Sequence, residues 1–190
     1  MNEIFSNDCC PYVEAEKFLA GARSSVSNFG NYDIILLLIA TTGISLPEVL
    51  RLEWDDVDFE DRSIFIRSSP ARKIKICRSV VTELKGMLTG EWVCELVFHE
   101  PDGSRLNPLK FAKDMREIRE LAGVSSSTGI NSLRLLHGRR LLDLKVHPDV
   151  ICERFGQESG QYMIDQYFKV RDQETAVKVM EEDGRNDLDS

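Results

Sequence analysis

Thr42-Gly43-Ile44-Ser45-Leu46-Pro47-Glu48-Val49-Leu50-Arg51-Leu52-Glu53-Trp54-Asp55-Asp56-Val57-Asp58 is the stretch whose reading settles the architecture. Residues 32–42, just before it, are apolar nearly all round, the pattern of a buried central helix, and Gly43 ends that helix. Residues 46–52 read as the next helix, with Pro47 tolerated in its first turn. Glu53, Asp55, Asp56, Asp58, Glu60 and Asp61 then crowd one expected surface loop.

On the N-terminal side, residues 11–24 begin with a proline and repeat Val13, Phe18, Leu19 and Ala22 at helical spacing. Residues 28–31 are a glycine-containing break. On the C-terminal side, residues 58–62 form a turn and 63–67 a strand in which Ile64 and Ile66 flank Phe65. Residues 68–71 make a hairpin tip around Pro70, and 72–77 return as a second strand with Ile74 and Ile76 in alternation. A helix is expected over 80–88 and a short edge strand over 96–98, followed by the Pro101-Asp102-Gly103 turn. Helices over 107–122, 130–143, 148–155, 162–168 and 173–182 complete the chain. The expected class is α+β, mainly helical, with a small β-hairpin or three-stranded sheet.

At 190 residues and 42 % hydrophobic, the chain suits one globular domain with a substantial core. The expected division is an N-terminal extension over 1–10, one domain over 11–180 and an acidic disordered tail over 181–190. The longest apolar run, 34–40, falls well short of a membrane span, and no membrane association is expected. Met1-Asn2-Glu3-Ile4 lacks the charged-then-apolar pattern of a secretory signal, so a cytoplasmic location is expected. Five cysteines, of which only Cys9 and Cys10 are neighbours, match no metal-ligand spacing and are expected to be reduced structural thiols. No metal and no cofactor are expected. The net charge of −8 runs against the basic bias common in DNA-binding domains, though much of it lies in the tail and in the 53–61 loop.

Taken together and in order, these segments resemble the catalytic domain of the tyrosine recombinase, or phage integrase, family, over about residues 11–179. The 42–58 block is similar to the family's Thr-Gly-x-Arg-x-x-Glu-x-x-x-Leu-x-Trp-x-Asp-x-Asp. Val97-Phe98, Gly103 and Leu106 resemble its Val-Phe…Gly…Leu stretch. Leu121-Ala122-Gly123-Val124, then Asn131-Ser132-Leu133-Arg134, then Phe155-Gly156-Gln157 and Tyr167 resemble its second half. Recombinases generally carry an N-terminal helical domain that closes a clamp on DNA. This chain is expected to start directly at the catalytic domain, and a lone half-clamp to bind DNA weakly unless a partner supplies the other half.

The resemblance implies tyrosine attack on a phosphodiester, which needs a nucleophile, cations around the phosphate and a general acid for the leaving oxygen. Tyr167 falls at the nucleophile position, before Phe168-Lys169-Val170, with Tyr162 as the competing candidate. Arg134 matches the second arginine. Ser45 stands where the first arginine is expected, and Arg51, six residues on, is read as pointing elsewhere. Asn131 replaces the acid–base residue, and Gln157 the third-position histidine or tryptophan. His137 and Arg140 repeat the His-x-x-Arg spelling six residues late, but only the Arg134 register gives the family interval to Gly156, so His137 is read as a packing or surface histidine. At the hairpin tip the family's lysine is absent; Ser68-Ser69-Pro70-Ala71 is flanked by Arg67, Arg72 and Lys73.

Loss of one phosphate-directed donor typically lowers a rate about 10²–10³-fold, and loss of a general acid about 10²–10⁴-fold, without simple additivity. The expected outcome is a recombinase-like protein deficient in cleavage that still contacts double-stranded DNA. The expected contacts are Arg67, Arg72, Lys73 and Lys75 on the hairpin, with Arg139 and Arg140 behind. Two alternatives are a weakly active recombinase working through Tyr167 and Arg134, and a protein-interaction module without DNA binding. In the latter, Ala176, Val177 and Met180 would stripe a C-terminal helix that packs on a second copy or on a recombinase partner.

Overall fold

The computed structural model describes residues 11–24, 31–88 and 94–156. Among them are seven α-helices and one three-stranded sheet. Helix α1 spans Pro11–Ser24, α2 Tyr32–Thr42 and α3 Leu46–Val49; a single 3₁₀ turn covers Trp54–Asp56. Strands β1 (Val57–Asp58), β2 (Ser63–Ile66) and β3 (Arg72–Lys75) follow. Then come α4 (Arg78–Met87), α5 (Pro108–Ala122), α6 (Ile130–Asp143) and α7 (Pro148–Phe155). The mainly helical α+β class expected from the sequence is the class observed.

Helix α2 is the axis of the core. From Ile34 to Ala40 every side chain is buried, so it has no solvent face and packs against α1, α3, α4 and α6. Gly43, at φ +76°, ends it by donating its N–H to the Ile39 carbonyl at 2.9 Å. Helix α1 crosses α5 and α6 on the outside, and Phe18, Phe111 and Ile118 join the same cluster. The sheet runs β1-β2-β3, fully antiparallel, with Ile64 opposite Ile74 and Ile66 opposite Arg72. Period-two alternation therefore puts Ile64, Ile66, Ile74 and Arg72 on the inner face and Phe65, Lys73 and Lys75 on the outer one.

Several boundaries differ from the sequence expectation for local reasons. The helix expected over 46–52 stops at Val49 because Arg51 and Leu52 bond only three residues back. The chain is then drawn out by pairing, Trp54 N–H to the Glu95 carbonyl and Val97 N–H to the Leu52 carbonyl, both at 2.9 Å. That pairing is also the whole of the expected 96–98 strand, reduced to isolated bridges Glu53–Leu96 and His99–Arg105. Helix α4 starts two residues early, with Cys77 as its exposed N-cap. Asn107 is not the first helical residue of α5 but its cap, accepting the Leu109 N–H at 2.9 Å. The helices expected over 162–168 and 173–182, the 1–10 extension and the 181–190 tail lie outside the described residues.

Candidate functional site

The C-terminal end of α7 meets the start of β3, the α2–α3 turn and α6, and five charged or polar side chains gather there: Ser45, Glu48, Ser68, Arg72 and Arg134. Glu48, in the first turn of α3, is the hub. Its Oε2 accepts the Ser45 N–H at 2.8 Å and the Ser45 hydroxyl at 2.9 Å. Its Oε1 accepts the Ser68 hydroxyl at 2.7 Å and Arg72 Nη1 at 2.8 Å. Burial pushes the Glu48 carboxyl up, but the bonds from Arg72, the Ser45 amide, Ser68 and the Ser45 hydroxyl outweigh it and hold the group at about 2. Ser45 and Glu48 also form a capping box for α3, whose Ser-x-x-Glu signature is the sequence signal for this hub.

Arg72 is not where the sequence reading placed it. Rather than an exposed hairpin contact it is 7 % exposed, because strand alternation gives it the same parity as Ile74 and Ile76. Its Nε donates to the Arg154 carbonyl at 3.0 Å, and its Nη2 is buried with no hydrogen-bond partner among the described residues. The guanidinium packs against Gly156: a Cβ added there would stand 2.5 Å from Nη1 and 2.7 Å from Cζ. Gly156 itself, at φ +67°, is the left-handed C-cap of α7.

Arg134 arrives from α6. Its Nε donates to the Gly43 carbonyl at 2.9 Å and its Nη2 to the Phe155 carbonyl at 3.5 Å, and its guanidinium sits 5.4 Å from the Phe155 ring centroid. Burial pushes its pKa down, Glu48 pulls it up and Arg72 pushes it down again. Two guanidiniums thus hang from consecutive carbonyls, 154 and 155, at one helix end. The third arginine of the neighbourhood, Arg154, is structural. It bridges His137 Nε2 at 3.1 Å, the Thr41 carbonyl at 3.3 Å and the Lys75 carbonyl at 2.9 Å. His137 is the packing histidine expected of it, buried beside Phe155 and held down to about 4 by burial and then by the charges of Arg154 and Arg140.

The remaining sequence candidates lie apart from this cluster. Arg67 Nε bonds Asp56 at 2.7 Å, with Glu53 on its Nη1. Lys73 and Lys75 both pair with Asp61, whose carboxyl they hold well below the usual range. The acidic 53–61 segment is therefore not an idle solvated loop: Asp56 is buried, and its neighbours neutralise the hairpin's cations. Arg140 faces α1, bonding Glu16 at 2.6 Å, and Arg139 lies 3.5 Å from Asp143 on its own helix. Asn131 is exposed in the first turn of α6, three residues before Arg134. Gln157, Tyr162, Tyr167 and the 176–180 stripe lie outside the described residues.

Solved structures share this architecture. The chain is similar to XerA recombinase, with TM-score 0.69 and 20 % identity over 86 % of this chain and 57 % of that one. It is similar also to the Tn1549 transposon integrase in complex with circular intermediate DNA, TM-score 0.70 and 14 % identity over 82 % and 60 % of the two chains. XerH site-specific recombinase bound to difH substrate matches at TM-score 0.65 and 21 % identity, over 78 % of this chain and 47 % of its own. The chain thus spans less than two thirds of the length of these three. No curated protein matches it. The sequence profile of the phage integrase family matches residues 13–174, and with the fold described above the chain belongs to that family.

Proposed function

We propose that this chain binds duplex DNA through its phosphate backbone and is deficient in strand cleavage, acting as an accessory or regulatory member of its family. The observation that carries this reading is the spending of the hairpin's charge. Ser68 is turned onto Glu48, and Lys73 and Lys75 are engaged by Asp61, so no lysine at the tip stands ready to protonate a leaving oxygen. Ser45 is likewise bound into the α3 cap and brings no cation. Relatives of the same fold are named as complexes with DNA, XerH with difH and the Tn1549 integrase with circular intermediate DNA, which supports DNA as the ligand.

A suicide DNA substrate that traps a covalent tyrosyl adduct tests the cleavage half of the reading. No adduct is expected. An adduct that disappears in Tyr167→Phe would instead establish residual recombinase activity, the reading in which Tyr167 and Arg134 still cut. A salt-dependent titration with duplex DNA tests the binding half. The rival reading, a protein-interaction module without DNA binding, draws on the net charge of −8 and on the neutralised hairpin, and complete absence of salt-sensitive binding would select it.

A further inference from the structure

We propose that Arg72, from the hairpin, supplies the phosphate-binding guanidinium that position 45 lacks, forming with Arg134 a two-arginine pocket for a phosphodiester, with Glu48 as its floor. This deepens the DNA-binding reading and rests on it. Arg72 shares strand parity with Ile74, which turns it inward, and the folded arrangement brings it to Glu48.

Four observations converge. First, a buried donor without an acceptor is rare in folded proteins and marks a place where a partner belongs. Arg72 Nη2 is such a donor, on a side chain only 5 % exposed. Second, the guanidinium is immobilised on its other atoms by Glu48, the Arg154 carbonyl and the face of Gly156, so its free N–H groups are held in a fixed direction. A rigid planar donor suits the paired oxygens of a phosphate better than a mobile ammonium does.

Third, among the described residues the charge of this cluster does not balance. Arg72 and Arg134 share one carboxylate: Glu48 bonds Arg72 directly, and both act on the ionisation of Arg134, Arg72 against and Glu48 in favour. One negative charge placed beside both arginines would cancel the excess. Fourth, the end of α7 would normally repel an anion, because its last carbonyls carry the negative pole of the helix. Here the 154 and 155 carbonyls are both consumed by the guanidiniums, which leaves cationic rather than anionic groups presented at that end.

The test uses the full chain and two probes. Titration with inorganic phosphate, followed by the NMR signals of the arginine Nε–H groups, should shift Arg72 and Arg134 together and saturate at one common concentration. In the paired variant Glu48→Gln with Arg72→Gln, which removes both buried charges at once, the Arg134 response should weaken about tenfold. In the same variant, the slope of log affinity for duplex DNA against log salt should fall by about 0.9, one phosphate contact. An Arg72 signal indifferent to phosphate, with DNA titrations of wild type and variant superimposed, overturns the pocket and leaves DNA binding standing. A saturable Arg72 shift with no DNA binding keeps the pocket and removes the DNA reading. Should the paired variant fail to melt cooperatively, the wild-type phosphate titration decides alone.

Discussion

Glu48 and Gly156 are the positions whose substitution says most about the site. Both Gly156 and Gly123 end helices in the left-handed conformation, at φ +67° and +62°, so alanine at either carries the same backbone strain, about 1 kcal/mol. They differ in surroundings: among the described residues nothing lies within 4 Å of a Cβ at 123, whereas one at 156 runs into the Arg72 guanidinium. Gly123→Ala should therefore lower the melting temperature by a few degrees, and Gly156→Ala by at least twice as much. The Glu48 carboxyl, ordinarily near 4.5, is held at about 2 in the fold. A depressed carboxylate contributes stability above its unfolded pKa and loses it as pH falls toward the folded one. Unfolding free energy should thus drop by on the order of 2 kcal/mol between pH 4.5 and 2, and Glu48→Gln should abolish that particular slope in denaturant titrations.

Helix α7 and the hairpin make the corresponding statements about elements. Through Arg154, α7 is tied to α2, β3 and α6, the last by way of neutral His137. Unfolding releases His137 to titrate near 6.5 while the fold holds it at about 4, so stability is full above pH 6.5 and declines toward 4. His137→Gln keeps an acceptor for Arg154 and should flatten this higher step while leaving the Glu48 step in place. On the hairpin, Asp61→Asn removes the carboxylate that Lys73 and Lys75 share, leaving Lys73 only the longer 3.8 Å contact with Asp58. Exposed ion pairs contribute little to stability, so the melting temperature should barely move, yet affinity for duplex DNA should rise several-fold at low salt. Helix boundaries such as those of α1, α2, α6 and α7 were legible because local signals set them: a Pro or Gly at the ends and apolar spacing between. The short α3 was not, since long-range pairing with residues 95–97 cut it off.

For the molecule as a whole, the buried α2 and the alternating isoleucines of β2 and β3 announced where the core would form, and the ordered motifs announced the family. The site was half legible. Arg134 and Gly156 could be placed by interval, but the sorting of cations into spent and available ones could not, because it depends on which carboxylates the fold delivers to them. One clue to Arg72 was present in the strand pattern: it shares parity with Ile74 and Ile76, while Lys73 and Lys75 do not. Association is the remaining whole-molecule question. If a segment beyond Asp172 packs on a second copy, light scattering should give a dimer or larger species for the full chain and a monomer after truncation there. An unchanged monomeric mass in both would dismiss such exchange. The four hydrogen bonds that converge on Glu48 also limit repair by design. Writing Ser45→Arg back into this chain would bring a newcomer to a carboxylate whose lone pairs are already taken, beside two cations that would resist it. Restoring an ancestral-looking motif would therefore require vacating position 72 in the same step.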